Sequence, residues 1–145
     1  MKTPFLTRFA LGAALAFALN VAAHAADRTP SPAGAEVYIV SPKDGAKVKG
    51  PVTVVFGLRG MGIAPAGIKF DNTGHHHLLI DTDVPADLSQ PLPANEKTVH
   101  FGKGQTETTL TLPPGKHTLQ LVVGDSLHVP HDPAVISKKI TILVE

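Results

Sequence analysis

The chain has 145 residues, the length of one domain. Thirteen basic residues against 12 acidic ones give a formal net charge of +1, so no basic field is present to attract nucleic acid or anionic lipid. There is no cysteine, which excludes disulfide scaffolds and thiolate metal sites.

Residues 1–25 read as a cleaved secretory signal peptide. Lys2 and Arg8 form a positive start, residues 9–23 are apolar with one interruption at Asn20, and Ala23-His24-Ala25 is a small-x-small cleavage site. A membrane anchor is the competing reading, but the apolar run falls short of the roughly 20 residues a span needs. No later stretch is apolar enough to cross a membrane. Cleavage after Ala25 predicts a soluble exported protein, periplasmic in a Gram-negative cell. Residues 26–35 are polar and proline-bearing and read as a linker, which leaves residues 36–145 as the domain.

From Glu36 the pattern is β. Strands are expected at residues 37–40, 52–58, 75–81, 106–112, 117–123 and 136–144, with turn residues between them. Residues 60–74 form a glycine- and proline-bearing loop. Residues 82–98 form a long proline-studded one, with room for a short edge strand. Residues 117–123 alternate most strictly, with Leu119, Leu121 and Val123 on one face. About seven short strands at this spacing predict an all-β, antiparallel immunoglobulin-like β-sandwich.

Histidines then organise the functional reading. His75 and His77 share one face of a strand, with alpha carbons about 6.5–7 Å apart, and His76 points the other way. Leu78 and Ile80 put the even positions toward the core, unless the strand start bends, so the facing of the trio stays open. In an immunoglobulin sandwich the B–C and F–G loops lie at one end. That end gathers His75 and His77, the approach containing His100, and the loop carrying His128 and His131. His117, at the start of its strand, falls at the opposite end as a structural histidine. The candidate metal ligands are therefore His75, His77, His100, His128 and His131. Asp125 and Asp132 are available to ligate or to orient a histidine. Nitrogen donors suit Zn²⁺ or Cu²⁺; Cu⁺ would find only the thioether of Met61 beyond the signal. Gly124-Asp125-Ser126-Leu127 spells an esterase signature, but late in an all-β pattern and without the downstream Asp-x-x-His block.

Several pieces together resemble the domain-of-unknown-function family 4399 (DUF4399). They are G-M-G-I-A-P-A-G, N-T-G-H-H-H-L-L-I-D, H-F-G-K-G-Q-T-E-T-T-L, L-P-P-G-K-H-T-L-Q-L-V-V-G-D and H-V-P-H-D-P. The resemblance implies a small exported bacterial domain and no particular activity. The leading expectation, drawn from the residues, is an exported domain that handles or buffers Zn²⁺ or Cu²⁺. Its partners are a metal ion and another exported or envelope protein. One alternative is a non-enzymatic interaction module with structural or pH-responsive histidines. The other is a small metalloenzyme: copper–zinc superoxide dismutase also carries His-x-His on such a sandwich, but its wider ligand spacing and cysteine pair are missing here.

Overall fold

Strand alternation places the core. In β3 (Val52–Arg59), Val52, Val54 and Phe56 are buried and Thr53 is exposed. In β8 (Gly115–Gly124), Leu119, Leu121 and Val123 turn inward to meet them. Two faces of this kind must cover one another, and a two-sheet sandwich is the result. The computed structural model describes residues 27–145. The expected leader and its cleavage point lie outside the described residues.

The smaller sheet has the order β1-β3-β7, with β1 at Glu36–Ser41 and β7 at Glu107–Leu110. The larger has the order β2-β9-β8-β5-β4, from Lys47–Val48 (β2), Ile140–Val144 (β9), Thr73–Ile80 (β5) and Gly62–Ile63 (β4). A further strand, β6 (Thr98–His100), also pairs with β5. Every described element is a strand. The core between the sheets includes Val37, Val54 and Phe56 from one side, and Leu78, Leu119, Leu121 and Ile142 from the other. Each such side chain contributes about 1.5–3 kcal/mol by leaving water.

The expected strands appear with shifted ends, and each shift has a local cause. The last begins at Ile140 rather than residue 136. Ile136 still bridges Val122, but the Ser137 hydroxyl replaces the backbone as acceptor for the Leu121 N–H, so the ladder breaks there. The edge strand of the long loop, β6, begins only at its last residue. The segment read as a linker is hydrogen-bonded to the domain: Asp132 donates to the Thr29 carbonyl and Ser31 donates to that of Asp132.

β5 is the element that positions everything else. It lies between β8 on one side and β4 and β6 on the other, and Gly74 to Ile80 are all buried. Its inner face joins the main core through Leu78 and Ile80. Its outer face is roofed. Leu79 packs with Val122 and with Leu92 of the long loop in a second, smaller cluster.

A candidate metal centre under the outer face

Alternation along β5 settles the facing of the histidine trio. His76 goes inward, with its ring 5.1 Å from that of Phe56, edge to face. His75 and His77 go outward with Leu79, and their rings lie 4.8 Å apart. His100 joins them by register. It is the partner of His77 in the antiparallel β5–β6 pair, and directly opposed residues share a face. Three imidazoles thus stand on one sheet face, fixed by two strands.

The fourth comes from the loop after β8. Asp125 shapes that loop: its Oδ1 accepts the backbone N–H groups of Leu127 and Val129, and its backbone carbonyl accepts that of His128. His128 consequently sits at φ 69°, a left-handed conformation uncommon outside glycine. Its Nδ1 lies 3.1 Å from His75 Nε2. One ring nitrogen from each of His75, His77, His100 and His128 falls within 4.8 Å of the others. His75 and His77 are fully buried; His100 and His128 are partly exposed.

Two glycines make room for the rings. A Cβ on Gly124 would stand 2.8 Å from His77 Cε1 and 3.2 Å from the backbone of His128, so the loop lies where a side chain would be. A Cβ on Gly102 would overlap the His100 ring. A strap made of β4 and the residues after it ties the carriers together. Ala64 N–H donates to Gly74 O, Ala66 N–H to Gly102 O and Gly67 N–H to Ser126 O, each at 2.9 Å. One strap therefore touches β5, the turn after β6 and the loop of His128.

The cluster is electrostatically unusual. His75 Nδ1, both ring nitrogens of His77 and His100 Nε2 are buried with no hydrogen-bond partner. Buried polar atoms are nearly always satisfied, and each orphan costs about 1–3 kcal/mol. Burial, helped by the neighbouring imidazoles, pushes the pKa of His75 down to about 4 and that of His77 to about 3. Burial also lowers that of His100, with His128 adding to the effect. His76, buried against phenylalanine, is lowered to about 4 by desolvation. Burial thus favours the neutral form of His75, His77 and His100, the form that can bind a cation.

His131 stands apart from the four. Its Nε2 lies 3.1 Å from the Thr73 carbonyl and its Nδ1 3.5 Å from that of Val123, so it staples the loop to the start of β5. Asp125 contributes indirectly, by folding the loop that presents His128. Thr29 Oγ1 donates to its other oxygen at 2.6 Å. Burial alone would raise the Asp125 pKa, but the hydroxyl and the two backbone N–H groups hold it below the usual range. Asp132 is exposed and faces Arg28 at 3.5 Å. Arg28 also donates to the carbonyls of Pro130 and His131, so the amino-terminal segment clamps the same loop.

His117 lies at the other end of the sheet, with Nδ1 2.7 Å from Asp81 Oδ2 and Nε2 2.8 Å from the Pro113 carbonyl. The Asp81 hydrogen bond raises its pKa against the effect of burial. His117→Ala is expected to cost about 1 kcal/mol, a modest figure because the Asp81 carboxylate is 40% exposed. Metal affinity should not change. Denaturant unfolding beside a zinc titration checks both, and a loss of affinity would contradict the separation of the two ends.

Sequence reasoning missed the two glycines and the strap. Gly124 ends a strand that is otherwise apolar, and a glycine there signals close approach of another group.

Comparison with known proteins adds the lineage. No curated protein matches the chain. Among solved structures, the endo-beta-1,4-mannanase from Thermotoga petrophila is similar at 18% identity and TM-score 0.45, over 77% of this chain. The chain spans only 20% of that enzyme. The fibronectin(III)-like modules of Clostridium thermocellum CbhA are similar at 13% identity and TM-score 0.37, over 74% of this chain and 92% of theirs. A match to the family described as Domain of unknown function (DUF4399) covers residues 54–145. With more than half of its length inside that match, including all four clustered histidines, the chain belongs to the DUF4399 family.

Proposed function

We propose that this is an exported metal-binding domain that holds one Zn²⁺ or Cu²⁺ on His75, His77, His100 and His128, and so carries or buffers the ion in the periplasm. One observation supports this most. Four imidazoles from three separate segments converge within 4.8 Å, and four of their nitrogens are buried without a partner. A plain interaction module would gain nothing from such nitrogens, whereas a bound cation gives one nitrogen of each ring a partner. The signal-like leader supports the periplasmic address, and a mature amino terminus at Ala26 is its expected mark in mass spectrometry.

Protein exported without a histidine tag is expected to carry or take up about one ion per chain, measured by elemental analysis and calorimetric titration. Because burial favours the neutral form of His75 and His77 well below pH 6.5, the ion should still be held at pH 6, where an ordinary histidine is mostly protonated. A chain that takes up neither ion at micromolar concentration would end the metal reading.

A further inference from the structure

The arrangement of the four rings carries information about which ion they suit. Six distances separate their centroids: 4.8 Å for His75–His77, 5.0 Å for His75–His100, 5.0 Å for His75–His128, 5.1 Å for His77–His100, 5.9 Å for His77–His128 and 4.6 Å for His100–His128. In a square, two opposite separations are diagonals and exceed all four sides by the square root of two. No such pair stands out here. The longest separation, 5.9 Å, has 5.0 Å as its opposite, and the other two opposite pairs are nearly equal within themselves. Four points with six similar separations form a tetrahedron.

The fold explains the shape. His75, His77 and His100 make a triangle on one sheet face. His128 cannot enter the plane of that triangle, because its own backbone lies over Gly124 on the same face. It reaches the triangle from the loop side. The strap fixes this relation by binding Gly74, Gly102 and Ser126 in succession. A tetrahedral zinc–imidazole site has nitrogens about 3.3–3.4 Å apart, from Zn–N bonds of about 2.0–2.1 Å. One pair, His75 Nε2 and His128 Nδ1, is already at 3.1 Å.

Resting on the metal reading above, we propose that the site is a closed tetrahedral cage of four imidazole nitrogens. It suits Zn²⁺ and disfavours the square-planar or tetragonal coordination of Cu²⁺. Four protein ligands fill the tetrahedral shell and leave no position for a reacting water. Such a site stores or delivers an ion and does not hydrolyse a substrate.

Cobalt substitution tests the geometry separately from binding. One equivalent of Co²⁺ is expected to give the intense visible bands of a four-coordinate tetrahedral ion, and one equivalent of Zn²⁺ to bleach them. His128→Asn keeps a residue that tolerates the left-handed backbone but removes the fourth imidazole. In that variant water takes the vacated position, so the bands should shift, and affinity should fall at least about tenfold. Gly102→Ala, which displaces the His100 ring, should act in the same direction, so the outcome does not depend on one variant folding. Weak six-coordinate bands in the unmodified protein would overturn the tetrahedral cage while leaving a metal site in place. So would His128→Asn with an unchanged spectrum. Failure to bind Co²⁺, Zn²⁺ or Cu²⁺ at all would remove the metal reading and the cage together.

Discussion

Replacing His77 with leucine is expected to make the metal-free protein more stable and to abolish its response to zinc. His77 is fully buried and neither of its ring nitrogens has a partner. Leucine is of similar size and removes both orphaned atoms, where alanine would open a cavity that costs about 2–5 kcal/mol by itself. No hydrogen bond is lost, since the His77 ring makes none. The expected gain is about 1–3 kcal/mol in denaturant unfolding with a chelator present. The unmodified protein should instead be stabilised by zinc, by about 2.7 kcal/mol at one hundred times its dissociation constant. The variant should show no such shift, with zinc affinity down about 100-fold or more. The order of stability between the two proteins thus reverses once zinc reaches about one thousand times the dissociation constant, where its stabilisation of about 4.1 kcal/mol exceeds the gain from leucine. A leucine variant that is less stable without metal and still binds zinc would mean that His77 is a packing residue and not a ligand.

Acid should unfold the metal-free protein well before it unfolds the zinc-loaded one. Burial holds His75 and His76 near pKa 4 and His77 near 3, while the same residues in an unfolded chain take protons at about 6.5. Below pH 6.5 the unfolded state therefore binds protons that the folded state refuses, and stability falls with pH. Each group contributes a slope of roughly 1.4 kcal/mol per pH unit, and three together roughly 4. A domain with 5–15 kcal/mol to lose cannot sustain that slope for long. His117 acts in the opposite sense. With the His117 pKa raised, its contribution is present below about 6.5 and fades as pH rises through the raised value. With the Asp81 pKa lowered, the carboxylate keeps its contribution until the pH falls through that lowered value. One raised histidine does not offset three depressed ones. Unfolding curves at a series of pH values, with and without zinc, would show the effect. Stability that stays flat from pH 7 to pH 5 without metal would mean that the histidines are solvated.

Much of this was legible in the sequence, and the rest had physical reasons to stay hidden. Strict alternation located β8, and the His-x-His pair carried its own geometry, because a strand permits only two facings. His100 was placed at the right end by the direction of the strands, although its register opposite His77 is not written locally. The choice between His128 and His131 was not legible. They are three residues apart in an irregular loop, where no period assigns direction. The turn around Asp125 sends one to the cluster, and two backbone carbonyls hold the other away. β2 and β4 have two residues each and pair in parallel, β2 with the distant β9 and β4 with β5, so neither has a signal of its own. Residues 28–31 have the composition of a linker. Only their contacts with the loop at residues 125–133 reveal that they belong to the domain.

Those contacts, and the place of β1, separate inheritance from autonomy. The stretch shared with the family begins at residue 54, inside β3, yet β3 is the middle strand of a three-stranded sheet whose outer partner is β1. Cut at the family boundary, the polypeptide would lose Val37 and Val52 from the core, expose the flank of a truncated strand and release the loop that presents His128. In this chain the matched stretch is thus shorter than the unit that these contacts hold together. Any fragment made to study the shared portion has to start no later than Arg28.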